Sequence, residues 1–178
     1  MSVVLETARL TLREPAMADA GNIAKYLNDF GVSGNLSRVP FPYSRADAQA
    51  WLKTRRPNLP PGETSFAIDL AGEGCIGVVG FHERGDGTVL GYWLARPFWG
   101  RGIMTEAAGA AVDWFFQGTG ATRVLSGLFH FNAASLAVQE KLGFTVTGRS
   151  KLVCLARGAE LEHIDTELTR SAWKARDR

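Results

Sequence analysis

Hydrophobic and polar positions follow two different periods along this chain, and together they predict a mixture of strands and helices. Residues 8–14, ARLTLRE, alternate strictly, with Leu10 and Leu12 on one face and polar residues on the other, which is typical of a half-buried strand. Residues 17–29 instead place apolar side chains three and four positions apart, as one side of a helix does. The chain therefore begins with a strand followed by a helix.

The next part of the chain predicts a loop, a second helix and a run of hairpins. Residues 30–45 are rich in Gly, Ser and Pro and read as a long loop. Ser44 and Asp47 have the spacing of a capping box, so a helix should start there and end before Pro57. Three strands separated by glycine-rich turns follow at 64–70, 74–83 and 88–95.

The second half of the chain returns to alternating helices and strands. A helix is predicted over about 102–117, with these residues facing the core: Ile103, Ala107, Ala110, Ala111, Trp114 and Phe115. A strand at 122–131, a helix at 132–143 and two strands within 144–169 complete the order β-αα-βββ-α-β-α-ββ. This order predicts an α/β fold of the α+β kind, a mixed sheet with helices on both faces. We predict one domain over 5–170 and a solvated basic tail over 171–178.

Composition narrows the class of protein. The chain has 178 residues, of which 46% are hydrophobic, enough for one domain with a sizeable core. Its apolar runs fall short of the roughly 18 residues that a membrane span needs, and its start lacks the pattern of a secretory signal. We therefore expect a soluble, cytoplasmic protein that does not bind membranes.

The net charge and the cysteine and histidine content argue against nucleic acid and metal ions as partners. The net charge is only +2, and basic residues do not interleave with aromatic ones, so nucleic acid is not an expected partner. The two cysteines, Cys75 and Cys154, lie in apolar strand-like stretches and are expected to be buried, reduced thiols. Neither forms a CxxC pair, and the chain has only three histidines, so it has few residues that could bind a metal ion. We therefore predict no metal site.

The segment PFWGRGIMTEA, at 97–107, carries the first chemical signal. Gly100 and Gly102 lie between a strand ending near Ala95 and a helix starting near Gly102. Consecutive N–H groups and the helix dipole at such a junction favour an anion, and glycine allows its close approach. A nucleotide P-loop would need Lys-Ser/Thr after the glycines, and a dinucleotide fingerprint would need a third glycine. The alternative is a flexible loop that binds nothing.

A second helix start follows the next strand, in FNAASLAVQEKLGF at 131–144. Asn132 can cap this helix, and Ser135 lies on its first turn. Taken alone, the two residues read as an ordinary cap and a small helical residue. Together with the glycine turn, however, they place two helix starts at the ends of strands that can be neighbours. This arrangement suits a long ligand with a pyrophosphate at one helix and an arm between the strands.

These motifs, in this order, resemble the GNAT acetyltransferase superfamily, and within it the branch that acetylates the N-terminal alanine or serine of ribosomal proteins. The resemblance runs from LETARLTLREP through GYWLARPFWGRGIMTEA and NAASLAVQEKLGF to GAELEHIDTEL. The superfamily pattern is Arg or Gln, two residues, Gly, one residue, and Gly or Ala. Here Trp99, Gly102 and Met104 occupy those places, and both departures are familiar in the N-terminal branch.

The resemblance implies that acetyl-CoA is the co-substrate and that an amine attacks its thioester directly. It implies that Leu94 and Ala95 hold the pantetheine arm, that the Leu94 N–H is the oxyanion donor, and that Asn132 and Ser135 lie near the sulfur. It also implies that main-chain N–H groups bind the pyrophosphate over the stretch Trp99, Gly100, Arg101, Gly102, Ile103, Met104 and Thr105. These assignments identify a cofactor site without a metal.

Catalytic side chains are harder to assign. Many relatives use a tyrosine on the last helix as general acid, and Gln139 occupies that place here; the segment 88–90, where other members carry a glutamate base, has no acid. Ser135 is therefore the predicted proton donor to the thiolate. The candidates for a base are His130 and the pairs His82 with Glu83 and Glu162 with His163, each with a structural or surface role as the alternative.

The acceptor follows from the weak acid–base equipment. At pH 7 a lysine amine with a pKa near 10.4 is neutral about one time in 2,500, and an α-amine with a pKa near 8 about one time in eleven. This gap is worth roughly 3 kcal/mol, so an α-amine demands less of a base. We predict a peptide N-terminal α-amine, bound between 31–43 and 157–163. The alternatives are a small amine (an antibiotic, a polyamine or an amino acid) and a non-catalytic acyl-CoA-binding module, in a monomer or homodimer.

Overall fold

The computed structural model describes residues 2–176. Within this range the strands are β1 (Leu5–Glu6), β2 (Leu10–Arg13), β3 (Ser65–Leu70), β4 (Gly74–Arg84), β5 (Gly87–Leu94), β6 (Arg123–Phe129), β7 (Thr145–Cys154) and β8 (Ala159–Thr169). The helices are α1 (Ala20–Leu27), α2 (Phe30–Ser33), α3 (Arg45–Thr54), α4 (Ile103–Gly118), α5 (Ala133–Leu142) and α6 (Arg170–Arg176). The predicted elements are all present, and β1, α2 and α6 are additions to them.

The strands form one sheet in the order β1-β2-β3-β4-β5-β6-β8-β7. Neighbouring strands are antiparallel except β5 and β6, which run parallel and pair at Val89 and Leu125. Parallel neighbours need a crossover connection, and α4 supplies it. The sheet is therefore mixed, as predicted.

Helices cover both faces of the sheet. Phe66 and Ile68 on β3 pack into the cluster that contains α4 and the end of α5, whereas Ala67 between them packs against α1 and α3. This division follows from the alternation of side chains along a strand. The sheet thus has an α4–α5 face and an α1–α3 face.

The α4 helix buries more of its surface than the predicted stripe. Ile103, Ala107, Ala111 and Phe115 are buried as expected, and Ala110 and Trp114 are partly buried against the core. The helix also buries Met104, Ala108, Val112 and Phe116. Its second apolar side is covered because α5 and α6 pack against it as well as the sheet.

The basic C-terminal segment differs from the solvated tail that its composition predicts. Residues Arg170–Arg176 form α6, and the ring of Trp173 stacks on Phe116 with centroids 4.9 Å apart. Trp173 also donates its indole N–H to Asp113 at 2.7 Å. The segment is thus part of the domain up to 176, and residues 177–178 of the predicted tail lie outside the described range.

Local signals in the first half are mostly confirmed. Ser44 and Asp47 make the reciprocal bonds of a capping box at the start of α3. The predicted loop at 30–45 instead opens with the single turn α2, because Asp29 caps it by accepting the Gly31 N–H. Cys75 and Cys154 are buried free thiols, as expected. No helix among residues 2–176 has the length and hydropathy needed to cross a membrane.

Candidate active site

The parallel strands β5 and β6 part beyond their paired residues, and this gap is the centre of the site. Val89 pairs with Leu125, but β5 continues to Leu94 and β6 to Phe129. The Ala95 N–H donates to Ile76 on β4, so alternation along β5 turns the Leu94 N–H toward β6. The predicted oxyanion donor therefore faces the gap.

The end of β5 is fixed by contacts from the turn that follows it. The carbonyl of Leu94 accepts the indole N–H of Trp99 at 2.7 Å. Arg96 lies over the Trp99 ring, 5.2 Å from its centroid, and pairs with Asp29 through two 2.7 Å bonds. These contacts hold Leu94 in place while leaving its N–H directed into the gap.

The glycine turn has the backbone that its sequence predicts. Gly100 and Gly102 adopt left-handed φ angles of 74° and 73°, which favour glycine. Gly102 is the N-cap of α4, and the first helical bond runs from the Glu106 N–H to the Gly102 carbonyl. By helix geometry, the N–H groups of the residues between these two, 103–105, have no acceptor within the helix. This turn can therefore offer N–H groups to an anion.

Two residues predicted to bind acetyl-CoA have their main-chain groups engaged within the protein. The Trp99 N–H donates to Arg96 at 3.1 Å, because residues 96–98 form a 3-10 turn. The Trp99 N–H is therefore not free for an anion, and the stretch predicted to bind the pyrophosphate is reduced to the residues from Gly100 onward. Ala95 is fully buried and gives its N–H to β4, so of the two residues predicted to hold the pantetheine arm, Leu94 is the one whose N–H faces the gap.

Arg9 supports this turn, a role that sequence reasoning missed. Its guanidinium donates to Glu106 at 2.7 Å and to the carbonyl of Arg101 at 2.8 Å, and Thr7 donates to Glu106 at 2.7 Å. Burial raises the pKa of Glu106, but the bonds from Thr7 and Arg9 outweigh burial and leave that pKa below its usual value. The ion pair with Arg9 cancels the negative charge of Glu106 in the first turn of α4, so the net positive charge beside the glycine turn comes from Arg101.

On the α5 side of the gap, Ser135 meets a tyrosine that the sequence reasoning missed. The Tyr92 hydroxyl on β5 lies 2.7 Å from the Ser135 hydroxyl and 3.3 Å from its carbonyl. Asn132 caps α5 by accepting the Ser135 N–H at 3.2 Å. Burial raises the pKa of Tyr92, and its hydrogen bonds to Ser135 and Gln139 offset only part of that rise.

Gln139, which occupies the tyrosine position of other family members, is a structural residue. It is buried, and its amide donates to Ser126 at 3.0 Å and to the Gly127 carbonyl at 3.2 Å. Its carbonyl accepts from the Thr166 hydroxyl at 2.5 Å. Gln139 therefore ties α5 to β6 and β8 and does not face the gap with a free group.

The side chains predicted as candidates for the general base differ in burial and in their hydrogen-bond partners. His130 is exposed and packs edge-on against Phe131, Glu83 accepts from Thr88 at 2.8 Å, and Glu162 pairs with Arg149 on the surface. His82 is half-buried on β4; burial and then the charges of Arg38 and Arg84 lower its pKa. His163 lies 2.9 Å from Asp165 through its Nδ1 atom.

The two segments predicted to line the acceptor site meet one another. Arg157 donates from Nε to the Gly34 carbonyl at 2.7 Å and lies between two rings, 4.9 Å from the centroid of Phe30 and 4.3 Å from that of Phe131. Phe131 directly precedes the cap of α5, and Phe30 directly follows Asp29, which is bonded to Arg96 at the end of β5. Arg157 therefore connects the α5 side of the gap to the β5 side. The segments at 31–43 and 157–163 thus border one rim.

The fold and this gap are those of an acyl-CoA-dependent acetyltransferase, and a family comparison agrees. The family model "Acetyltransferase (GNAT) domain" matches residues 9–145, so the chain belongs to the GNAT acetyltransferase family. It is an N-acetyltransferase of this type, and acetyl-CoA is the acetyl donor of the family. The predicted family, fold class and enzyme class are confirmed.

Individual relatives have related descriptions. The chain is 26% identical over 144 residues to the SPbeta prophage-derived uncharacterized N-acetyltransferase YokL of Bacillus subtilis, covering 79% of each chain. It is 29% identical over 102 residues to the ribosomal protein uS5-alanine N-acetyltransferase of Escherichia coli, covering 55% of this chain and 53% of that one. The structure of Mycobacterium smegmatis RimJ with CoA-disulfide aligns with a TM-score of 0.79 at 22% identity, over 96% of this chain and 87% of that one.

Proposed function

We propose that this enzyme transfers the acetyl group of acetyl-CoA to the N-terminal α-amine of a peptide or protein. The observation that carries the proposal is the pair of hydroxyls, Tyr92 and Ser135, 2.7 Å apart at the gap. Both are proton donors at neutral pH, and the raised pKa of Tyr92 keeps its proton in place. A site equipped in this way supports the departing thiolate and suits an amine that loses its own proton easily.

The donor would lie along β5 with its pyrophosphate at the glycine turn. The N–H groups from Gly100 to Thr105, with the charge of Arg101 beside them and the turn held by the bond from Arg9 to the Arg101 carbonyl, would bind the pyrophosphate. The left-handed Gly102 fits this assignment, because a side chain there would be strained and would fill the approach to the helix start. Acetyl-CoA supplies an acetyl thioester whose leaving group is a thiolate.

The residues of the gap would then divide the work of acetyl transfer. The Leu94 N–H, which faces the gap, would donate to the carbonyl oxygen as it gains negative charge, as an oxyanion donor does. Ser135 would give its proton to the sulfur, and Tyr92, by donating to Ser135, would hold that hydroxyl in position. Asn132 orients the same turn through the Ser135 N–H.

An α-amine is the acceptor that makes the smallest demand on this site. Its neutral fraction at pH 7 exceeds that of a lysine amine by more than about 200-fold, from pKa values near 8 and 10.4. The likeness to an enzyme described as a ribosomal protein alanine N-acetyltransferase points the same way. The rim at Arg157, Phe30 and Phe131 is exposed at two aromatic rings, which suits an extended acceptor entering from the surface.

A panel of acceptors tests this proposal. Peptides that begin with Ala, Ser, Gly or Met, polyamines, aminoglycoside antibiotics and free amino acids would each be incubated with acetyl-CoA, and mass spectrometry would locate the acetyl group. We expect acetylation of peptide α-amines with kcat/KM at least tenfold above that of any small amine. A preference for one small amine over all peptides would contradict the proposal and leave the acetyl-CoA site standing.

A further inference from the structure

We propose that His163, oriented by Asp165, is the general base that takes the proton from the acceptor amine; the identity of that amine as an α-amine rests on the proposed function. Nδ1 of His163 lies 2.9 Å from Oδ1 of Asp165. A carboxylate only accepts hydrogen bonds, so Nδ1 carries the proton and Nε2 of the neutral ring presents its lone pair. Ser150 donates to the same Asp165 oxygen at 2.8 Å and fixes it.

The position of the imidazole ring depends on a glycine in the neighbouring strand. His163 pairs with Phe129 across β6 and β8, and its ring leans over Gly127. A Cβ atom at Gly127 would lie 2.1 Å from Cε1 and 2.7 Å from Nε2 of His163, so no other residue leaves room for the ring. Glycine at 127 thus lets the histidine cross β6 toward the gap beside β5.

The histidine lies on the opposite face of the sheet from the Tyr92–Ser135 pair. Ser126 and Thr166 point to Gln139 on the α4–α5 face, so the residues that alternate with them, Gly127 and His163, face the α1–α3 side. On the neighbouring strand, Gly91 occupies the position matching Gly127, two residues beyond the Val89–Leu125 pair. A Cβ atom at Gly91 would meet no atom within 4 Å among the described residues, so the floor beside the histidine is open.

This separation matches what acetyl transfer requires of a base and an acid. The attacking amine and the departing sulfur must reach one carbonyl carbon from different sides. The structure places two hydroxyls on one face of the gap and an imidazole on the other, with the Leu94 N–H between them at the end of β5. An amine entering over the Gly91 floor would approach the carbon from the histidine side.

The proposed step is a single proton transfer. One N–H bond of the acceptor ammonium breaks, its electron pair stays on the amine nitrogen, and an N–H bond forms at Nε2 of His163. The imidazolium is stabilised by the Asp165 carboxylate and later releases its proton to water. A histidine base is better matched to an α-amine with a pKa near 8 than to a lysine near 10.4, because proton transfer from the lysine is more uphill.

The chain offers matched controls, since it has three histidines. We would compare His163→Gln with His82→Gln and His130→Gln, using the peptide acceptor at pH 7. We expect His163→Gln to lower kcat/KM for the acceptor about 100-fold, as loss of a general base does, with acetyl-CoA affinity unchanged. The two controls should stay within about twofold of the wild type, well short of the loss of a general base.

A second readout separates a base from a structural residue. Raising the pH from 7 to 9 deprotonates the α-amine without help, so the deficit of His163→Gln should shrink about tenfold over this range. The groups that face the dyad are Ser150 on β7 and Phe129 on β6, and the charge of Arg84 acts on Asp165. Asp165→Asn keeps the imidazole ring of His163 but changes the partner of its Nδ1 atom. It should therefore lower kcat/KM less than His163→Gln does, and this loss should also shrink as the pH rises.

Three results would overturn the assignment: wild-type kcat/KM in His163→Gln, a deficit that does not change with pH, or an equal deficit in His82→Gln. If His163→Gln does not fold, Asp165→Asn is measured at pH 7 and pH 9 instead. A loss of kcat/KM that shrinks at the higher pH then supports the assignment, and wild-type kcat/KM or a loss that does not change with pH overturns it. If the wild type acetylates a small amine and not peptides, the proposed function is wrong. The same variants assayed with that amine then still decide the role of His163.

Discussion

The hydroxyl of Tyr92, on β5, lies 2.7 Å from the hydroxyl of Ser135, on α5. The two residues come from elements that flank the gap between β5 and β6, so this bond joins both sides of the site. It brings a tyrosine hydroxyl to the gap from β5, whereas α5 carries Gln139 at the position where the family resemblance predicts a tyrosine. The function of the pair is therefore open to direct measurement.

Removing the Ser135 hydroxyl should slow turnover without weakening donor binding. General acids contribute about 100-fold or more, and a thiolate is a good leaving group that reduces this demand. We expect Ser135→Ala to lower kcat about tenfold while calorimetry shows unchanged acetyl-CoA affinity. Wild-type turnover would remove Ser135 from the mechanism, and a matching loss of affinity would make it a binding residue.

Tyr92 should act through Ser135 rather than independently. Tyr92→Phe removes only the hydroxyl, and we expect it to lower kcat by about threefold, a fraction of a general acid's contribution, with little change in KM. Because interacting residues are non-additive, the double variant with Ser135→Ala should be no slower than Ser135→Ala alone. Losses that multiply in the double variant would contradict the coupling that the 2.7 Å contact implies.

A negative charge at Gly102 should disrupt the donor site. Gly102→Asp and Gly102→Asn introduce side chains of nearly equal shape at a φ of 73° and share the strain of that conformation. The difference between them reports the charge alone. We expect the Asp variant to bind acetyl-CoA about tenfold more weakly than the Asn variant, equivalent to about 1.4 kcal/mol. Equal affinities by calorimetry would remove the pyrophosphate from this turn.

Gln139 should matter for stability. Gln139→Leu conserves most of the volume but leaves the Gly127 carbonyl and the Thr166 hydroxyl without their bonds. The Thr166 hydroxyl is buried, and a buried polar group left unpaired costs about 1–3 kcal/mol, so the free energy of unfolding in urea should fall by at least about 1 kcal/mol. Gln117→Leu on the exposed side of α4 is the control. Equal unfolding midpoints would show that the buried amide contributes nothing.

Acid should destabilise the fold partly through Asp19. This buried carboxylate accepts two bonds from Arg13 and one from the Ala16 N–H, and these outweigh burial and lower its pKa. A lowered folded-state pKa means that the stabilisation is complete above the unfolded pKa of about 3.9 and is lost as the pH falls through the folded value. Relative to Asp19→Asn, the wild type should therefore lose unfolding free energy below about pH 4. Parallel urea curves for both proteins across that range would contradict this.

Much of the fold could be predicted because its signals are local. The capping box at Ser44 and the glycine turn at 100–102 each depend on a few adjacent residues. The α6 helix was not predicted because the basic composition of residues 171–178 favoured a solvated tail. The large apolar side chain of this helix, Trp173, packs on Phe116, which lies far away in the chain. Single apolar residues in polar segments are informative only when their partner is known.

The site residues likewise include some that local sequence signals predict and others that depend on contacts between distant parts of the chain. Leu94 and Ser135 follow from the family pattern, whereas Arg9 reaches the glycine turn from the connection between β1 and β2, 92 residues from Arg101 in the chain. Tyr92 was within reach of sequence reasoning, because alternation puts it on the buried side of β5 and a buried tyrosine hydroxyl needs a partner. The His163–Asp165 dyad also had a signal, since residues two apart in a strand share a face.

The central claim is that the acceptor is an α-amine, and a pair of peptides tests it most directly. One peptide has a free N-terminus and no lysine, and the other has a blocked N-terminus and an internal lysine. Incubated with the enzyme and acetyl-CoA, the first should be acetylated and the second should remain unchanged by mass spectrometry. Acetylation of the blocked, lysine-containing peptide would contradict the account.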